Sequence, residues 1–315
     1  DTGESDTERF DVTVNNVAPT STITGPTELD EGTEYVFTLG EVLDPGQDSI
    51  SNAQIDWGDG NFSTYTGAGD YAHTFADGDS ASTIRLLVTD EDGTFTAASL
   101  AVNVNDVTPS LTLSGDNEVN EGSEYILTLS DLVEPGDDPV TEYLIDWGDG
   151  SPVQSVSDLG DVSHTYADGD ALYDISVNIV NDDGTFLGAN KTVTVNNVAP
   201  TLNLSGAATG IQNTPYTLAL GAVIDPGLDT IVTNGITVDW GDGTVETFDS
   251  VGDIEHVYAA AGDYTISVSL EDEDGVFANV ATQDVEIVVP ASTVDIVAQA
   301  DATLNEGDTF TRTIE

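Results

Sequence analysis

The chain of 315 residues contains no cysteine, which excludes disulfide and thiolate chemistry but does not by itself assign a compartment. Positive charge is almost absent as well. Arg9, Arg85, Lys191 and Arg312 are the only Lys and Arg residues against 59 Asp and Glu, and the formal net charge is −55. Nucleic acid and anionic membranes both need basic side chains on the protein, so neither is expected as a partner. No apolar run approaches the roughly 20 residues of a membrane span, so membrane insertion is not expected. The opening DTGESDTERF has no signal-peptide pattern, and any export signal is expected elsewhere. Helical stripes, phosphate loops, HExxH and dinucleotide fingerprints are all missing.

What is present is repetition. With 38% hydrophobic residues the chain can bury real cores, and its length suits about two or three domains. IDWGDG at positions 55–60 returns at 145–150, and VDWGDG follows at 238–243, a period of about 90 residues. The same elements surround each copy. NNVAPT, NDVTPS and NNVAPT open the units, followed by DEGTEYVFTL, NEGSEYILTL and IQNTPYTLAL, then DPGQD, EPGDD and DPGLD. After DWGDG come HTFADGD, HTYADGD and HVYAAAGD, and last TDEDGTF, VNDDGTF and LEDEDGVF. These place three repeats at residues 19–108, 109–199 and 200–290. ERFDVTVNN within residues 1–18 matches KTVTVNN and predicts the last strand of a preceding repeat. LNEGDTFTRTI within residues 291–315 matches VNEGSEYILTL and predicts the start of a fourth.

Inside a repeat the hydrophobic period is two. EYVFTL, TIRLLVT, YDISVNIV and YTISVSL alternate apolar with polar residues, as half-buried strands do. About seven such strands per repeat, separated by Gly, Asp and Pro turns, predict an all-β chain of tandem immunoglobulin-like β-sandwiches arranged end to end. Trp57, Trp147 and Trp240 are the expected core fillers.

The DWGDG segment, the HTY…GD…Y segment and the V.D.DG.F hairpin resemble the PKD (polycystic kidney disease) immunoglobulin-like domain. The likeness covers every complete repeat. It implies noncatalytic extracellular modules of the kind found in cell-surface proteins, large bacterial adhesins, archaeal surface layers and secreted hydrolases.

Repetition also separates scaffold from site. His73, His164 and His256 are the only histidines and share one repeat position, so a structural hydrogen bond is expected of them rather than catalysis. No residue stands out as a nucleophile with a local base, and the chain is not expected to be an enzyme. The GDG of the hexapeptide reads as a turn, with Asp56, Asp146 and Asp239 on turn amides; a peripheral metal contact is the other possibility.

The remaining acids lie in loops, which in this type of sandwich gather at two opposite poles. The downstream pole of the first repeat carries Glu31, Asp77, Asp79, Asn105 and Asp106, and the upstream pole of the second carries Glu134, Asp138, Asp182 and Asp183. Glu121, Asp168, Asp170, Asn196 and Asn197 are their counterparts one repeat on, facing Asp225, Asp229, Asp272 and Asp274. Asn15 and Asn16 stand before Asp44, Asp48, Asp90 and Asp92 in the same manner. Stacked end to end, so many carboxylates repel unless neutralised, and hard oxygen donors are what Ca²⁺ takes, six to eight at a time. Calcium is therefore expected between repeats 1 and 2, between repeats 2 and 3, and in part where residues 1–18 meet repeat 1. Solvated acidic turns are the alternative. The third repeat has Gln212 and Asn213 in place of EG, Ala259, Ala260 and Ala261 in place of the acidic turn, and leaves through IVVPAST. All three losses fall at one pole, as ligands of a shared site would, so the junction after residue 290 is expected to lack the ion. The arrangement is similar to a cadherin junction.

These readings predict a noncatalytic structural segment of a large extracellular surface protein, bacterial or archaeal, serving as an adhesin stalk or filament with calcium-stiffened linkers. Its expected partners are neighbouring repeats or neighbouring subunits of a filament, and a surface glycan or protein ligand. Carbohydrate-binding accessory modules of a secreted hydrolase are the alternative, although Tyr65 and Phe248 have only Val156 as counterpart in the second repeat. A halophilic surface-layer segment is a further one.

Overall fold

A computed structural model describes residues 7–46, 48–291 and 306. The first sandwich is built from β1 (Ile23–Thr24), β2 (Glu28–Asp30), β3 (Glu34–Leu39), β4 (Asn52–Asp56), β5 (Phe62–Thr64), β6 (Gly69–Thr74), β7 (Ser80–Thr89) and β8 (Thr94–Asn105). A three-stranded sheet in the order β1-β3-β6 faces a five-stranded sheet in the order β2-β8-β7-β4-β5. Strand β2 runs parallel to β8, whereas β1 runs antiparallel to β3. The opening strand is thus split between the two sheets, which is why eight strands form instead of seven. The break falls at Gly25 and Pro26, where the Pro26 carbonyl accepts the Tyr35 hydroxyl at 2.7 Å.

The same sheet pair recurs twice, from Ser110–Ser114 to Thr185–Asn196 and from Leu204–Gly206 to Val276–Val288. No helix occurs among the described residues. Alternation places one face of each strand inward. In β3, Tyr35, Phe37 and Leu39 are buried while Glu34, Val36 and Thr38 face solvent. Each sandwich has its own core, centred on Trp57, Trp147 or Trp240. Truncating a buried Trp of this kind costs about 3–5 kcal/mol.

The chain divides into two compact units, Asp1–Asn197 and Val198–Glu315. The first unit holds two sandwiches. Backbone contact explains this: the Asp137 amide of the second sandwich donates to the Ala76 carbonyl of the first at 2.8 Å. Residues 7–18 form no strand within this chain. Phe10, Val12 and Val14 are 80%, 81% and 88% exposed, because an alternating strand needs a sheet to cover its apolar face. The segment expected to begin a fourth repeat lies outside the described residues, apart from Ala291 and Glu306.

Candidate metal centre

The hexapeptide is a self-satisfied turn. Asp56 Oδ1 accepts the Gly58 amide at 3.0 Å and Asp59 Oδ1 accepts the Asn61 amide at 2.9 Å. Gly58 is required here: its φ is +86°, and a Cβ would stand 2.7 Å from the Thr83 carbonyl oxygen. Asp59 Oδ2 lies 2.6 Å from His73 Nε2, and the imidazole stacks on Trp57 with centroids 4.5 Å apart. The pair recurs as His164–Asp149 at 2.7 Å and His256–Asp242 at 2.8 Å. Burial pushes the Asp59 carboxyl up, but the hydrogen bonds from His73 and Asn61 outweigh it and hold it below the usual range. With both oxygens of Asp59 engaged by the turn and the histidine, the motif is a fastener between the two sheets. Asp56, Asp146 and Asp239 each accept the amide of the glycine two residues on, as the turn reading expects.

The junction of the first two sandwiches has the opposite character. After β2 the Glu31 amide donates to the Asn105 carbonyl at 3.1 Å and the Gly32 amide to Phe75 at 2.8 Å, which turns Glu31 inward until it is fully buried. Glu31 Oε1 accepts the amide of Val107, in the linker, at 2.8 Å. Its Oε2 is buried with no hydrogen-bond partner. Glu134 and Asp138 come from the second sandwich, and the three side chains each offer an oxygen within 4.8 Å of the others. A second triad, Asp77, Asp138 and Asp183, satisfies the same limit. Asp138 belongs to both and is 5% exposed. Glu134 Oε1, Asp138 Oδ2 and Asp106 Oδ1 are also buried without a partner.

The electrostatics follow from this crowding. Burial, opposed by the Val107 hydrogen bond and reinforced by Asp138 and Asp106, pushes the Glu31 carboxyl up to about 7. Burial also raises Glu134, Asp138 and Asp183, helped by their acidic neighbours. No Lys or Arg answers this charge among the described residues: Arg85 reaches Asp56 at 3.5 Å, and Lys191 donates to Asn117. A buried carboxylate with an unpartnered oxygen is costly unless a cation meets it. The donor set, all oxygen and drawn from two loops, a turn and a linker, fits Ca²⁺.

The other residues expected at such centres are distributed as follows. Asp79 and Asp170 are exposed with φ of +44°. Asn105 donates through its side chain to Asp30 at 3.2 Å, away from the triads. Asp182 stands close enough to raise the pKa of Asp138. Glu121 repeats the burial of Glu31, its amide on the Asn196 carbonyl at 3.0 Å and its carboxylate beside Gly169. The Asp168 carbonyl accepts the Tyr173 hydroxyl, and the Asn197 amide lies 3.5 Å from Asp170 Oδ1. Asn15 and Asn16 are exposed coil. Asp44, Asp48 and Asp90 converge inside the first sandwich, and Asp225, Asp229 and Asp272 inside the third; Asp92 and Asp274 stay exposed beside them. In the third repeat Gln212 holds the place of Glu31, and its amide donates to the Ala259 carbonyl at 2.8 Å. That neutral bond needs no ion. Asn181, a residue not expected at any site, donates to Glu134 Oε2 at 3.4 Å. The alignment of VNDDGTF on TDEDGTF, which sets it at the Asp90 position, is the signal that identifies it.

Residues 197–289 match the family model of the PKD domain. Among solved structures, the PKD domain of an M14-like peptidase from a Thermoplasmatales archaeon is 27% identical, covering 29% of this chain and 100% of that one, with a TM-score of 0.25. The fibronectin(III)-like modules of CbhA from Clostridium thermocellum are 16% identical, covering 56% and 92%, with a TM-score of 0.24. SGBP-B of the Bacteroides ovatus mixed-linkage glucan utilization locus, solved with a mixed-linkage heptasaccharide, is 16% identical, covering 88% and 72%, with a TM-score of 0.23. A search of curated proteins finds no match. The third sandwich thus matches the PKD domain, and the two before it repeat its strand order, its DWGDG turn and its His–Asp fastener.

Proposed function

We propose that this chain is a noncatalytic structural segment of a large extracellular surface protein, an adhesin stalk or filament, in which calcium stiffens the junction between sandwiches. PKD-type tandem domains are typical of extracellular proteins. No helix among the described residues is long and apolar enough to cross a membrane. The observation that carries the reading is Glu31, fully buried with Oε2 unpartnered and facing Glu134 and Asp138 of the next sandwich. A cation there ties the Asp30–Gly32 turn, the linker and the following sandwich into one piece. Removing it leaves like charges that push the sandwiches apart.

Small-angle scattering of the full chain tests this. Calcium is expected to lengthen and narrow the distribution of maximum dimensions, and a chelator to reverse the change. An unchanged distribution overturns the reading, and an equal effect from KCl without calcium assigns the acidity to salt adaptation instead.

A further inference from the structure

The junction centre draws on two repeats, but a different cluster is complete within one. In the first sandwich the loop between β3 and β4 meets the β7–β8 hairpin, and Asp44, Asp48 and Asp90 each offer an oxygen within 4.8 Å of the others. Asp44 Oδ1 accepts the Gly46 amide at 3.2 Å, and Asp90 Oδ1 accepts the amides of Asp92 and Gly93 at 2.8 and 3.0 Å. The turns therefore use one oxygen of each carboxylate. Oδ2 of Asp44 and Oδ2 of Asp90 are buried and have no partner, and Asp90 as a whole is 6% exposed.

The third sandwich is built the same way. Asp225 Oδ1 accepts the Gly227 amide at 3.0 Å, and Asp272 Oδ1 accepts those of Asp274 and Gly275 at 2.9 and 3.1 Å. Oδ2 of Asp225 and Oδ2 of Asp272 are left buried and unpartnered, with Asp272 at 3% exposed. A brace fixes loop to hairpin in both: the Ser49 amide donates to Glu91 at 2.7 Å, and the Thr230 amide to Glu273 at 2.8 Å. Two bare carboxylate oxygens are thus held at short range by structure that does not let them separate.

The second sandwich is the internal comparison. Asn181 stands at the hairpin position of Asp90 and Asp272, and its Oδ1 accepts the same two turn amides, from Asp183 and Gly184, both at 3.1 Å. Its Nδ2 then donates to Glu134. An N–H group sits where the other two sandwiches present a bare oxygen. The same turn closes in all three, so the second carboxylate oxygen of Asp90 and Asp272 is not needed for folding the hairpin.

We propose that the first and third sandwiches each hold a divalent, oxygen-preferring cation between this loop and hairpin, independently of the junction centre, and that in the second sandwich the Asn181 amide takes the cation's place. Calcium suits the position better than magnesium. Its longer and more variable bonds tolerate carboxylates supplied by two separate loops, and backbone carbonyls and water complete its coordination.

Calorimetric titration of the chelator-stripped full chain with CaCl₂, and separately with MgCl₂, tests the assignment. Asp90→Asn and Asp272→Asn each remove one bound calcium and the double variant removes two, while Glu31→Gln retains both of these ions. Asp44→Asn and Asp225→Asn, on the loop side, remove the same two ions, which separates ligand loss from a disturbed hairpin. Circular dichroism confirms folding. Unchanged calcium stoichiometry in either pair of variants overturns the proposal. Loss of these ions in Glu31→Gln overturns their independence, and uptake of magnesium without calcium overturns the choice of ion.

Discussion

Gly32 of the first sandwich lies directly against the Pro135 carbonyl of the second, so closely that a Cβ built on Gly32 would overlap it. Gly32 also has a φ of +64°. Gly32→Ala therefore meets both a backbone clash and a left-handed conformation that costs about 1 kcal/mol. It is expected to prise the first two sandwiches apart, with a broadened scattering profile that calcium does not restore. Gly60→Ala is the control, since its φ of +93° carries the conformational cost but no atom lies within 4 Å. It should lower thermal stability without changing the profile.

Glu31→Gln keeps an acceptor for the Val107 amide and removes the buried charge. Above about pH 7, where Glu31 is charged, the metal-free chain should become more stable by about 1–3 kcal/mol, because an unpartnered buried carboxylate is replaced by a neutral group. Its calcium-induced gain in melting temperature should shrink. Chemical denaturation with and without calcium measures both, and a loss of metal-free stability would show that Glu31 has a stabilising partner.

The pH dependence of the metal-free chain has a definite sign. Glu31 titrates at about 7 in the folded chain against 4.5 in the unfolded one, burial being the main cause. Between these values the folded state holds a proton that the unfolded state has released, so this contribution is full below pH 4.5 and is lost as pH rises through 7. Glu134, Asp138 and Asp183 are raised and act in the same direction. Asp59, Asp149 and Asp242 are lowered, so their contribution is present above 3.8 and lost as pH falls further. Metal-free stability is expected to peak near about pH 5 and to fall by roughly 1–3 kcal/mol toward about pH 8. Saturating calcium should reverse that slope, because protons and calcium compete for the same oxygens. Melting curves at the two pH values decide it.

Asp149→Asn weakens the fastener of the second sandwich by replacing a charged acceptor of His164. A loss of about 1–2 kcal/mol is expected in denaturant titrations, with calcium binding unchanged. His164→Ala should add a red shift in tryptophan emission, since the imidazole covers Trp147 at 4.6 Å.

Local chemistry made much of this legible. The strands of EYVFTL and its counterparts, the Trp cores and the DWGDG turn depend on period-two alternation and on residues a few positions apart. His73 was readable as structural from its repetition, but its partner was not. Asp59 is 14 positions away, on the turn of the facing sheet, and only the packing of the two sheets joins them.

The acids divide along the same line. That carboxylates crowd the poles of the sandwiches with almost no basic residue to meet them is legible from composition and repeat position, which are local properties. Which of them turn inward was decided only by tertiary structure. Asp30 and Glu31 are adjacent, yet Asp30 faces solvent and Glu31 is fully buried, since the amides of Glu31 and Gly32 are fixed by Asn105 and Phe75 from distant strands. Asp44 and Asp90 belong by sequence to a pole shared with a neighbour, but a loop and a hairpin far apart in the chain close on each other and bring their carboxylates together within one sandwich. Burial and convergence depend on how the sheets pack, and no single stretch of sequence contains that information.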